Sequence, residues 1–413
     1  MSVIGIIAEY NPFHNGHRHQ LAQIRRLEPD ASLVAVMSGN FTQRGTAAIA
    51  DKWQRARLAV ENGIDLVVEN PFVGNVRSAQ KFAESGITIL KSLGIVDRLA
   101  FGSEYTNLQQ LQQIAVGCQT AAAQELLHSY IQQGRSYAAA LEQVITQNYP
   151  IDGTIIRQPN TILALEYLKA LHHIAPEIKP LVLPRQSAAY HDTRLAAGIS
   201  SATAIRTALH TPAPDFQQLQ QTMPANVYTR LQEQYRQHAL PDEDLLFRPL
   251  LLQFINHSAA ELKTIYGISE GLEYNFLEAV KKAVSLNDLR RLIQNKRYPG
   301  SRIQRLFLYI LLNLPAAQMA QFDRTGPLYC RILAFNERGR QLLHTAKQTA
   351  SLPLITKPSD FLSSHQYQHH PLTLAQQMFV IDTQATDLYS LCFAIPAQRQ
   401  KMDFITSPAY IKA

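Results

Sequence analysis

The stretch Val3-Ile4-Gly5-Ile6-Ile7-Ala8-Glu9-Tyr10-Asn11-Pro12-Phe13-His14-Asn15-Gly16-His17 decides the fold. Residues 3–8 form a short apolar, β-branched run, as expected of a strand buried on both faces. Residues 16–27 follow with helical spacing. The alternation continues along the chain. Strands are expected at 33–37, 66–68, 98–101 and 181–183. Helices are expected at 51–62, with Asp51 as N-cap and Gly63 as stop, and at 80–93, 159–172 and 203–209. A Gln-rich helical insertion spans about 107–150. Five strands alternating with helices predict an α/β fold with a doubly wound five-stranded parallel sheet.

Beyond Thr211-Pro212-Ala213-Pro214 the periodicity is helical, at about 215–238, 245–252, 258–265, 273–284, 286–294 and 301–314. The expected organisation is a catalytic domain over 1–212, a mainly α-helical basic region over 213–345, and a small C-terminal unit over 346–413. A length of 413 residues suits two or three domains. Charged residues are 17% of the chain, below the ~25% of ordinary globular proteins, which argues against a charge-rich disordered chain or a coiled coil. No apolar run reaches the ~18–20 residues of a membrane span, and no secretory leader is expected. The 3 cysteines, Cys118, Cys330 and Cys392, lie far apart and form no CxxC, which suits a reducing cytoplasm.

The formal net charge is +7. It is concentrated between Lys281 and Arg305, where Lys281, Lys282, Arg290, Arg291, Lys296, Arg297, Arg302 and Arg305 face the lone acid Asp288. Such a run is either a solvated face or a footprint for nucleic acid.

Ligands of doubly wound sheets bind beyond the carboxyl ends of the strands. His14 and His17 stand there, three residues apart at a helix start, where side chains share a face. The helix N-terminus adds unpaired N–H groups and a positive dipole end. Two imidazoles placed so can donate to phosphate oxygens and stabilise charge developing at an α-phosphate. Gly16 is expected to let the backbone approach the nucleotide. After the fifth strand, Ser201 and Thr203 offer hydroxyls and Arg206 a guanidinium fork for phosphate. No HExxH, CxxC or GxGxxG is present, so no metal site is expected in the protein. Glu9 could help hold magnesium or orient a base. Gln43 and Arg44 could reach a substrate or an RNA base, or form a solvated loop.

The His14-Asn15-Gly16-His17 motif and the Thr203-Ala204-Ile205-Arg206 ending resemble the HxGH nucleotidyltransferase superfamily, which is HUP-like in fold. Longer stretches resemble the tRNA(Met) cytidine acetate ligase family. These are residues 5–17, Met37 to Gly45, Glu69-Asn70-Pro71-Phe72, Phe101-Gly102-Ser103-Glu104, residues 201–206, Lys296-Arg297-Tyr298, residues 301–305 and Asp387-Leu388-Tyr389. Asn70 departs from the apolar residue expected there, with an effect on strand-end packing. The resemblance implies a ligase that makes acetyl-adenylate from acetate and ATP, with magnesium expected beside the ATP. It then passes the acetyl group to the wobble cytidine of elongator tRNA(Met).

Carried over by motif, His14 and His17 are the catalytic pair. The ATP site comprises Ile7, Ala8, Glu9, Tyr10, Asn11, Pro12, Phe13, His14, Asn15, Gly16, His17, Gln20, Gly102, Asn160, Arg185, Ser201, Thr203 and Arg206. For tRNA, Lys52, Lys296, Arg297, Arg302 and Arg305 are expected to neutralise phosphates, with Tyr298 available to stack. Two other readings compete. One is an adenylyltransferase making a dinucleotide-type coenzyme. The other is a non-catalytic RNA-binding protein with a relict nucleotide fold.

Overall fold

The computed structural model describes residues 2–149, 151–185, 195, 198–395 and 402–412. Five parallel strands form where the sequence places them: β1 (Val3–Ala8), β2 (Ser32–Ser38), β3 (Leu66–Asn70), β4 (Arg98–Ser103) and β5 (Lys179–Pro184). Their order is β5-β4-β1-β2-β3. Successive side chains on a strand point to opposite faces. Val3, Val34, Val36, Leu66, Val68, Leu99 and Phe101 therefore enter one core, shared with the helices Ala79–Ser92 and Pro159–Ile174. Ile4, Ile6, Leu33, Ala35, Met37, Val67 and Ala100 enter another, shared with the helices Asn15–Leu27 and Lys52–Glu61. Burial on both faces explains why these strands read as unbroken apolar runs. The insertion forms the helices Leu108–Gly117, Ala121–Gln132 and Tyr137–Asn148.

The chain runs outward through β1, β2 and β3, then returns to place β4 on the other side of β1. That reversal opens a crevice between the ends of β1 and β4, the ligand position in open α/β sheets.

The sheet is wider than the expected five strands. The C-terminal region adds β6 (Cys330–Phe335), β7 (Leu354–Ile355) and β8 (Ala409–Tyr410), giving an 8-stranded sheet. β6 runs antiparallel to β3, while β7 and β8 pair along its far edge. Residues 330–335 lie within the span expected to be mainly helical, because a lone apolar run gives no period that distinguishes strand from helix. The expected helix at 215–238 is likewise two, Phe216–Gln220 and Ala225–Arg236, with Pro224 capping the second. Most of the remaining C-terminal helices share a core built on Leu250, Phe276, Leu289, Leu306, Phe307 and Phe379, while the helix Glu337–Thr349 places Leu343 in the core under the parallel sheet. Phe41, Phe72 and Val76 from the first half insert into the former core.

Four buried charges join the two halves. Lys52 Nζ lies 2.7 and 2.9 Å from the Glu69 carboxylate oxygens and 2.7 Å from Asp403 Oδ1. Arg331 pairs with Asp403 and lies 3.4 Å from Glu69 Oε2. Burial alone would raise the Asp403 carboxyl, but Lys52 and Arg331 outweigh it and hold it at about 2. Asn70 sits beside this cluster. Its side-chain carbonyl accepts from the Ser85 hydroxyl at 2.5 Å, so the residue packs the strand end.

Removing one member of such a cluster leaves a buried charge uncompensated. Lys52→Met is expected to lower the unfolding free energy by about 3–5 kcal/mol. Equilibrium urea denaturation measures it.

Candidate active site

His14 is the N-cap of the helix Asn15–Leu27, an unusual residue for that position. Its Nδ1 accepts from the Gly16 N–H at 3.0 Å, and the His14 N–H donates to Nδ1 of His17 at 3.2 Å. The pair forms a reciprocal capping box with histidines in place of the usual Ser and Glu. Both Nδ1 atoms therefore accept, and a neutral ring must carry its proton on Nε2. The rings stack with centroids 3.9 Å apart. Tyr10 and Phe13, both buried, pack against His17 at 4.9 and 5.4 Å.

Gly16 is needed here for a reason the sequence did not suggest. A Cβ at residue 16 would lie 2.8 Å from His14 Cε1, inside the capping ring. Burial, then the nearby charges of Arg185 and Arg206, push His14 down to about 3. Burial, His14 and Arg185 hold His17 well below its ordinary value. Both rings are thus neutral Nε2–H donors at physiological pH.

A cleft opens beside them. It is lined by His14, Gly16, His17 and Gln20, by Gly102, Leu183, Pro184 and Arg185, and by Ile199, Ser200 and Ser201. His19 and Gln23 complete it, hydrogen bonded to each other at 2.6 Å. Sequence reasoning missed those two. Their signal was present, since Gly16, Gln20 and Gln23 recur on one helical face.

The other expected ATP residues stand behind this lining. Arg206 donates to the Asn11 carbonyl at 2.6 Å and to Thr203 Oγ1 at 3.3 Å. Ser201 caps the helix Ala202–Leu209 by accepting from Ala204 N–H. Asn15 spends its amide on the carbonyls of Gly198 and Gln221, at 2.9 and 2.8 Å. Asn11 accepts from Ile49 N–H at 2.7 Å. Pro12 is buried, and Ile7 and Ala8 pack into the two cores beside the sheet. The side chains of Ile7, Ala8, Tyr10, Pro12 and Phe13 thus shape the site from beneath. Asn160 and Arg185 are joined at 2.7 Å next to Gly102.

The loop after β2 is tied to the same centre. Glu9 accepts from Gln43 N–H at 2.7 Å. Arg55, fully buried, donates to the carbonyls of Ala50, Glu9, Ser38 and Gly39. A Cβ at Gly45, which has φ +83°, would lie 3.0 Å from the Arg305 backbone, so this loop packs closely against the helix Gly300–Leu311 of the basic stretch.

The expected RNA contacts divide. Lys52 is excluded, because it is fully buried and its ammonium is held by Glu69 and Asp403. Tyr298 cannot stack on a base as expected. Its ring is buried, with the Arg302 guanidinium 4.7 Å above its centroid and its hydroxyl on Glu270. Lys296 is exposed, Arg297 pairs with Glu270, and Arg305 is half-buried. Burial lowers the Arg305 guanidinium, with Arg302 and Arg77 adding positive charge nearby.

Known proteins resemble this chain over nearly its whole length. The HIGH Nucleotidyl Transferase family matches residues 1–403. A tRNA(Met) cytidine acetate ligase of Halothermothrix orenii is 36% identical, covering 98% of each chain. One of Syntrophomonas wolfei is 37% identical, covering 99% of each. The crystal structure of Thermotoga maritima TmcAL without ligand superimposes with a TM-score of 0.91 at 30% identity, covering 100% of both chains. The same protein bound to alpha-thio ATP gives 0.89 at 29% identity.

The low His14 value has a consequence for stability. Between pH 6.5 and about 3 the unfolded chain protonates this residue and the folded protein does not. Folding stability therefore falls as pH drops through that window, by up to about 1.4 kcal/mol per pH unit from this group. His14→Asn keeps a capping side chain without the titration. Its unfolding free energy, measured by denaturation from pH 7 to pH 4, is expected to fall less steeply than that of the parent.

Proposed function

We propose the following reaction for this chain, which belongs to the tRNA(Met) cytidine acetate ligase family within the HIGH nucleotidyl transferases. ATP occupies the cleft at the ends of β1, β4 and β5. An acetate oxygen attacks the α-phosphorus, the bond to the bridging oxygen breaks, and pyrophosphate leaves with the electron pair. The Nε2–H groups of His14 and His17 donate to the phosphate oxygens as their charge grows, and Arg185 and Arg206 supply positive charge beside them. The N4 amine of the tRNA wobble cytidine then attacks the acetyl carbon, AMP departs, and N4 loses a proton. The mixed anhydride is already activated, so holding the amine in line supplies much of the rate.

One observation carries this reading. The reciprocal histidine cap fixes both tautomers, so that each ring can offer Nε2–H to the cleft it lines. Neutral donors bind phosphate oxygens without the cost of burying two cations. The relatives' names favour the acetate ligase over the coenzyme adenylyltransferase. Among the described residues no group of three or more His, Cys, Asp or Glu is placed to hold a metal ion. Magnesium is expected beside the ATP phosphates. Lys296, Arg297, Arg302 and Arg305 would meet the tRNA backbone. No described helix is long and apolar enough to cross a membrane, and the three cysteines are free and buried. A cytoplasmic place of work fits both.

Labelled acetate, ATP and elongator tRNA(Met) test the reaction. The label is expected on the wobble cytidine, with AMP and pyrophosphate released. His14→Ala is expected to lower incorporation by at least ~100-fold. Label that never reaches tRNA from the parent protein would reject the ligase reading. Reversing Arg302 and Arg305 to Glu is expected to weaken tRNA binding and flatten its salt dependence by a slope of about two. Filter binding across a salt series measures it. An unchanged slope would make the basic stretch a solvated face.

A further inference from the structure

Glu104 follows directly after β4, and its carboxylate points at the start of the helix Pro159–Ile174. Oε1 accepts from Asn160 Nδ2 at 2.6 Å. Oε2 accepts from the Thr161 N–H at 2.9 Å and from Thr161 Oγ1 at 3.1 Å. All three groups donate to Glu104, whose two carboxylate oxygens both accept. An ionised carboxylate can only accept. It therefore dictates which way the Asn160 amide faces, with Nδ2 toward Glu104 and Oδ1 away. Oδ1 is the atom that receives Arg185, whose NH1 donates at 2.7 Å. Arg185 is exposed at the cleft, near enough for its charge to depress both His14 and His17.

We propose that Glu104 is a positioning residue for nucleotide binding, acting through the Asn160 amide to aim the Arg185 guanidinium at the cleft. The inference rests on the ATP reading above and adds to it the residue that sets the polarity of the chain Glu104–Asn160–Arg185. Were the acceptor at position 104 replaced by an amide donor, Asn160 would turn to satisfy it. Its NH2 would then face the guanidinium, donor against donor, and Arg185 would leave its position. The lining of the cleft would otherwise be untouched, because Glu104 does not border it.

This polarity can be inverted and restored. In Glu104→Gln the new side chain keeps its carbonyl on Thr161 and presents NH2 to residue 160. Calorimetric titration with ATP is expected to show about tenfold weaker binding. KM for ATP in acetyl-adenylate formation is expected to rise with it, with kcat little changed. The double variant Glu104→Gln/Asn160→Asp has the parent's net charge. Its carboxylate at position 160 can accept from the amide introduced at position 104 on one side and from Arg185 on the other. ATP affinity is therefore expected to return to within about threefold of the parent.

The double variant stands as a test even if Glu104→Gln alone folds poorly. A folded double variant that binds ATP no better than about tenfold below the parent overturns the positioning role. So does a Glu104→Gln protein with parental ATP affinity. Parent protein that binds no ATP at all overturns the nucleotide reading itself, a separate result.

Discussion

Two cations and two carboxylates buried beneath the end of β3 hold the molecule in one piece. Lys52 comes from the second βα unit, Glu69 from β3, Arg331 from β6 and Asp403 from the C-terminal tail. Sequestering four charges is costly, and the cluster is favourable only because each member meets opposite charge at close range. The cluster thus specifies an arrangement as much as it stabilises one. It closes the sheet on its β3 side with strands from the far end of the chain. It also holds Lys52, whose backbone N–H donates to Asn40 at 2.8 Å, while Asn40 in turn reaches Thr386 at 3.2 Å. The loop after β2 is therefore anchored to the C-terminal helices.

That anchoring ties the loop after β2 to the strand end beneath the active site. Glu9 holds Gln43, Arg55 gathers four carbonyls around the ends of β1 and β2, and Gly45 rests against the helix that carries Arg302 and Arg305. One loop thus links Glu9, at the end of β1, to the basic helix. An enzyme that makes a reactive anhydride and then delivers it to a large RNA needs such continuity, because the acceptor amine must come in line with an intermediate that must not meet water first. The electrostatics follow the same logic. The histidines remain neutral, and the fixed positive charge resides on arginines, which stay protonated when partly buried.

The five parallel strands, their helices and the histidine motif were legible because each rests on local pattern. Apolar runs, caps such as Asp51 and the stop at Gly63 involve neighbours in sequence. The cleft residues His14, His17, Gly102, Arg185 and Ser201 were legible for a related reason, since the crevice of a parallel sheet collects whatever follows its strands. What escaped depends on distant partners. Lys52 looked like a surface cation on a helix, and only the arrival of Glu69 and Asp403 buries it. Tyr298 looked like a stacking ring until Arg302 covered it. Residues 330–335 gave no sign that they extend a sheet begun at the other end of the chain. Glu104 was visible only as part of a resembling motif, and its hydrogen bonds explain its place there.

The central claim is that this cleft activates a carboxylate with ATP. Exchange of radiolabelled pyrophosphate into ATP, with and without acetate and in the absence of tRNA, tests it most directly. The cleft and the histidine pair are built from residues of this chain, so exchange that depends on acetate is the predicted result. Exchange that proceeds equally without acetate, or fails in its presence, would contradict the account.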